Sequence, residues 1–208
     1  MMKIAGKPRL RGTVSLLCFA AVLSVAVMIG GARQGLAQDF KPASPQPDAA
    51  ALKPGLAVLY FFNFFRHIDE LIEWEDYKDG ESGPPIERLN FRSGTGDVLT
   101  SENDDGVGAK MTGFIHLEKA GTYNFAFESN DGVRLVIDGK TVVEDPDVHA
   151  DRFSDIGIMT APEPGWYPIT VWYFERKNTS TLRFHWLPPE TEGTMPLVPR
   201  EVLAHLEG

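Results

Sequence analysis

The sequence predicts an all-β fold, an antiparallel β-sandwich or barrel with one or two short helices. Three observations predict it. Apolar and polar side chains alternate with period two through much of residues 111–117, 122–128 and 182–186, which marks strands with one face in a core. Asp138-Gly139 separates two β-branched runs, Val133 to Ile137 and Lys140 to Val143. Both central residues of a type I′ hairpin turn need positive φ, and Asp-Gly supplies it. Finally, 20 Gly and 15 Pro punctuate a 208-residue chain that holds 13 Phe, a composition of short strands joined by turns.

Leu56 to Phe62 is a compact apolar run and reads as a buried strand. Ile68, Leu71 and Ile72 repeat at helical spacing and predict a short helix near 67–76. Gly80 to Pro85 reads as a turn-rich break, and Ile86-Leu89-Phe91 as a short strand. Residues 92–108 are polar and Gly-rich, a loop that ends in Glu102-Asn103-Asp104-Asp105-Gly106.

Past that loop, Met111 to Leu117 is a strand and Ala120-Gly121 a turn. Tyr123, Phe125 and Phe127 then share one strand face. After the Asp-Gly hairpin, Glu144 to Asp155 is an acidic, turn-rich connection. Trp166 to Phe174 is the longest strand and carries aromatics on both faces, so it is expected at the centre of a sheet or covered on both sides. Leu182, Phe184 and Trp186 alternate in the last strand. Pro199 before Val202, Leu203 and Leu206 predicts a short terminal helix with proline in its first turn. The sum is eight to ten strands and no internal repeat.

Charge divides the chain. Residues 1–37 hold five of the 20 basic residues and none of the 29 acids. Lys3, Lys7, Arg9 and Arg11 precede an apolar run from Val14 to Gly31, with Gly35 and Ala37 at the −3 and −1 positions of a cut after Ala37. That is the pattern of a signal peptide; an uncleaved N-terminal anchor is the alternative. Residues 38–54, with Pro42, Pro45, Pro47 and Pro54, read as a Pro-rich disordered linker. Residues 55–208 form the domain. The part after residue 37 is strongly acidic, which argues against nucleic acid as a partner. The single cysteine, Cys18, lies in the apolar run, so the domain forms no internal disulfide. Localisation is expected to be periplasmic, or secreted to the cell surface, with membrane contact only through an uncleaved N-terminal segment.

No catalytic constellation emerges. The chain has neither Gly-x-Ser-x-Gly nor Gly-x-x-x-x-Gly-Lys, and no enzyme activity is expected. Asp145, Asp147, His149 and Asp151 form an acidic loop that reads as solvated surface, as does Glu102 to Asp105. His67, His116, His185 and His205 show no metal-ligand spacing. Trp166, Trp172 and Trp186 read as core rather than as sugar-stacking rings.

An ordered series of segments then carries a family resemblance: Gly113-Phe114-Ile115, Ala120 to Phe125, Ser129 to Lys140, Gly165 to Ile169, Val171 to Glu175, and Leu182 to Trp186. In order and spacing they resemble the protective-antigen fourteen-kilodalton domain, over about residues 55–205. The resemblance implies a protective-antigen-type β-sandwich and a lectin-like, extracytoplasmic setting. In sugar-binding members two consecutive aspartates hold a calcium ion that meets sugar hydroxyls. The matching pair here is Asn130-Asp131, and the loop after the long strand is Glu175-Arg176-Lys177-Asn178.

The resemblance thus implies a carbohydrate site of Asn130, Asp131, Glu175 and Asn178, and a calcium site of Asn130, Asp131 and Glu175, since calcium takes carboxylate and amide oxygens alike. The expected function is a calcium-assisted, non-catalytic carbohydrate-binding module whose partner is a glycan or another cell-surface ligand. Asn130, Arg176 and Lys177 depart from the ligand pattern. They leave an alternative: a structural or protein-interaction domain of the cell envelope, with an envelope protein as partner.

Overall fold

The computed structural model describes residues 39–207 apart from Thr95. The signal-like segment 1–37 lies outside the described residues. In chain order the strands are β1 (Leu52–Pro54), β2 (Leu56–Phe62), β3 (Glu81–Ile86), β4 (Asn90–Ser93), β5 (Val107–Leu117) and β6 (Gly121–Asn130). Then follow β7 (Val133–Ile137), β8 (Lys140–Asp145), β9 (Arg152–Phe153), β10 (Gly157–Ala161), β11 (Gly165–Glu175), β12 (Ser180–Leu187) and β13 (Leu203–Leu206). Helix α1 (Ile68–Trp74) lies between β2 and β3. No helix of the described residues is long and apolar enough to cross a membrane.

The strands form two antiparallel sheets. The larger runs β1-β13-β5-β11-β7-β8, with β2 also on β5 and β3 on β2. The smaller runs β10-β6-β12-β4, with β9 also on β6. Period-two patterning places the core between them. Tyr123, Phe125 and Phe127 of β6 face Tyr167, Ile169, Val171 and Tyr173 of β11, all buried. Phe127 and Phe184 are direct cross-strand partners with ring centroids 4.5 Å apart, the kind of pair that fixes register.

Strand β11 is central and covered on both sides, as its aromatics require. On its outer face Trp172 and Phe174 join Phe61, Phe65, Ile68 and Leu71 in a second cluster. Helix α1 supplies that cover. The ring Nδ1 of His67 accepts the Asp69 backbone N–H at 3.1 Å and caps the helix, while Asp69 and Glu70 sit in the first turn, where the helix dipole favours acids. The helix approaches β5 closely because Gly108 has no side chain: a Cβ there would lie 2.4 Å from Leu71 Cδ1. The Asp-Gly hairpin forms as expected, with φ of 48° at Asp138 and 70° at Gly139.

Four local expectations are corrected. Residues 39–54 are not a disordered linker. Phe40 is buried in the main core, Ala43 N–H donates to Trp166 O at 2.8 Å, Gln46 brackets the Trp166 backbone from both sides, and β1 pairs with β13. Proline prevents a strand in most of this segment but not packing of the side chains between. Gly80 to Pro85 is mostly strand rather than a break: β3 is an outer strand with only β2 beside it, where proline is tolerated. Leu89 lies between strands, so Ile86 and Phe91 belong to different sheets. Finally, the terminal helix is a 3-10 turn, Arg200–Val202, followed by β13. The open edge of β5 takes Leu203 and Ala204, and Gly113 makes room, since its Cβ would meet Ala204 O at 2.3 Å.

Candidate functional site

Asn130 ends β6, and Asp131-Gly132 turns the chain into β7. The Asn130–Asp131 peptide bond is cis. The turn is clamped to the end of β11. Tyr173 Oη donates to Asn130 O at 2.6 Å, Asp131 N–H donates to Phe174 O at 3.1 Å, and Phe174 N–H donates to Gly132 O at 3.0 Å.

Asp131 gathers two loops. Its Oδ1 accepts the His149 backbone N–H at 2.9 Å, and its Oδ2 accepts that of Arg176 at 2.8 Å. The carboxylate is buried. Burial raises its pKa above the ordinary range, while the two N–H donors and the Arg176 and His149 charges oppose the rise.

Asn130 faces the other way. Its Nδ2 donates to Thr179 Oγ1 at 2.9 Å and to Asp151 Oδ1 at 3.2 Å, and Asp151 Oδ2 in turn accepts from Arg92 at 2.8 Å. With Nδ2 spent on these acceptors, the amide oxygen is the atom left to meet a ligand. Around the group lies an open hollow of about 620 Å³ whose polar lining includes Arg92, Asn130, Asp151, Thr179 and Thr181.

Glu175, at the end of β11, is fully buried, which removes it from direct contact with a glycan. Its Oε2 accepts the Gly106 N–H at 3.2 Å; its Oε1 is buried with no hydrogen-bond partner among the described residues. Burial first, then the Asp105 and Asp131 charges, pushes its pKa up to about 7. Asn178 is exposed with φ of 77°, and its N–H donates to Asp105 Oδ1 at 2.6 Å.

The four nominated residues therefore share one end of the sandwich, Asn130, Asp131 and Glu175 buried and Asn178 exposed. Among the described residues no three His, Cys, Asp or Glu side chains converge as a metal site. A hard cation here would take Asn130, Asp131 and Glu175 with backbone, water and sugar oxygens making up the shell, as calcium's six to eight ligands allow. The orphaned Glu175 Oε1 is the buried oxygen left without a partner that such an ion would satisfy, while both Asp131 oxygens already accept backbone N–H groups.

The acidic loop is more than solvated surface. Asp145 is buried and pairs with Arg152, and the His149 ring nitrogen Nε2 lies 3.3 Å from its carboxylate. Asp151 belongs to the site, as do Thr179 and Arg92; no spacing in the sequence marks them. Trp172 and Trp186 are core residues, while Trp166 is half-buried against His116. His205 is buried, its Nδ1 3.0 Å from Gly55 O.

The fold has known relatives. Among curated proteins none matches the chain. Among solved structures it is similar to the PA14 domain of the MpAFP antifreeze protein, at 21% identity and TM-score 0.63 over 81% of this chain and 96% of that one. It is similar to the PA14 sugar-binding domain from an RTX adhesin, at 18% identity and TM-score 0.58 over 73% of this chain and 98% of that one. A third is the Epithelial Adhesin 9 A domain from Candida glabrata, solved in complex with Galβ1-3GlcNAc, at 13% identity and TM-score 0.61 over 82% of this chain and 97% of that one. The family model described as PA14 domain matches residues 52–197, and with the two-sheet architecture and ordered segments above, the chain belongs to the PA14 domain family.

Proposed function

We propose that this domain is a non-catalytic carbohydrate-binding module outside the cytoplasm, and that calcium assists it. One observation carries the reading. Asn130 and Asp131, from consecutive positions, are fixed against the 146–151 and 175–179 segments beside an open hollow that Asn130, Asp151 and Thr179 line. An open hollow that presents amide, hydroxyl and carboxylate groups among a largely apolar lining suits a sugar, which carries hydroxyls around an apolar ring face. Sugar-binding domains of an RTX adhesin and of a Candida glabrata adhesin share the fold, which supports the reading without assigning the sugar. A glycan array read with and without chelator tests it: binding that disappears on chelation is expected, and flat signal in both conditions contradicts it.

Arg176 and Lys177 favour a second reading, because they bring two cations to the loop beside Asp131. On that reading the domain holds an envelope protein instead of a sugar. Co-purification of a stable protein partner, with an empty glycan array, would select it.

A further inference from the structure

A second, open hollow of about 510 Å³ is lined by Arg66, Asp147, Val148 and Arg176. It differs from the first in charge. Arg66 and Arg176 come from different parts of the chain, the β2–α1 connection and the loop after β11, yet border one open surface hollow. Neither guanidinium makes an ion pair among the described residues; every ion pair of Asp147 with them is likewise missing, although it lines the same wall. The Arg176 Nε is buried with no hydrogen-bond partner there.

Arg66 is exposed and stays hydrated, so the cost to the fold falls on the Arg176 Nε. A buried donor left unsatisfied opposes folding, and the acidic surroundings of this chain offer carboxylates in excess to pair with. Guanidinium groups present planar forks that match a carboxylate in two-point fashion. Val148, exposed in the same wall, offers an apolar surface to a ring face.

We propose that Arg66 and Arg176 form a subsite for the carboxylate of an acidic sugar, so that the domain prefers glycans bearing uronic or sialic acid. The inference rests on the carbohydrate-binding reading and names its ligand class. The two hollows share the 147–151 segment as a wall, and Arg176 and Thr179 are three residues apart, at most about 10 Å. Two or three linked sugar rings cover that distance. A neutral ring would occupy the Asn130 hollow while the charged ring reaches the arginines.

The test is calorimetry of the full chain, with calcium present, against matched pairs: trigalacturonate with its methyl ester, and sialyllactose with lactose. A preference of about tenfold or more for the charged member of at least one pair is expected, the scale of one hydrogen bond to a charged group. In Arg66→Gln and Arg176→Gln that ratio should fall toward one. Equal binding of charged and neutral members by the native protein overturns the subsite and leaves the carbohydrate reading standing. Preference that survives both substitutions also overturns it. No binding of any glycan, here or on the array, removes both.

Discussion

The carboxylate of Asp131 accepts the backbone N–H of Arg176 at 2.8 Å, joining the β6–β7 turn to the loop that follows β11. The same carboxylate holds His149 N–H at 2.9 Å. One buried side chain thus sets the relative position of three segments at this end of the sandwich. Replacing Asp131 with Ala leaves two N–H groups without their acceptor. A loss of about 2–4 kcal/mol in urea unfolding is expected, together with loss of the heat of calcium binding. Unchanged calcium heat in a folded variant would place the ion elsewhere.

Glu175 makes stability depend on pH. Its folded-state pKa, about 7, lies above the ordinary value near 4.5. Between those values the native state keeps a proton that the unfolded chain has released. Stability therefore falls as pH rises through that window and, from this group, stays level above it. The scale is about 1.4 kcal/mol for each unit of displacement. Glu175→Gln should flatten the decline and exceed the native protein in stability at pH 8, measured in chelator by denaturant unfolding. A native profile level from pH 5 to 7 would contradict the buried, orphaned carboxylate.

The segment before β1 is part of the folded body. Phe40→Ala should cost about 3 kcal/mol, as for a buried ring removed from a core. A mobile linker would tolerate the change with no shift in the unfolding midpoint.

Gly113→Ala tests the C-terminal strand. Its new Cβ would sit 2.3 Å from a backbone oxygen, that of Ala204, which cannot rotate away. Separation of β13 from β5 is expected, at about 1–3 kcal/mol, with faster amide exchange at Leu203 to Leu206. Unaltered exchange there would contradict the pairing.

Much of this fold is legible because strands print their period on the chain. Tyr123, Phe125 and Phe127 mark one buried face, and Trp172 with Phe174 announce that β11 is covered twice. Where the sequence misleads, the deciding partner is remote. Leu203 and Leu206 keep a helical spacing, and only the vacant edge of β5 makes them a strand. Phe40 sits among prolines that suggest a tether, yet its ring finds the core and its neighbours find Trp166. β10 escapes notice because Gly157, Met159 and Ala161 point inward with only one large side chain among them.

The candidate site divides the same way. Asn130-Asp131 is nominated through the order of family segments. Its partners Asp151, Thr179 and Arg92 are 21, 49 and 59 positions from what they bond, too far for any local pattern to link. Burial of Glu175 is equally hidden, since Tyr173 and Glu175 differ in polarity but share the inward face of β11.

The most direct test is calcium titration of the metal-free protein, followed by backbone amide resonances. A structure in which Asn130, Asp131 and the loops they hold form an ion-assisted ligand site predicts saturable shifts centred on Gly106, Asp131, His149, Arg176 and Asn178. Resonances that stay fixed there, or that move only at β10 and the far end of the sandwich, would contradict it.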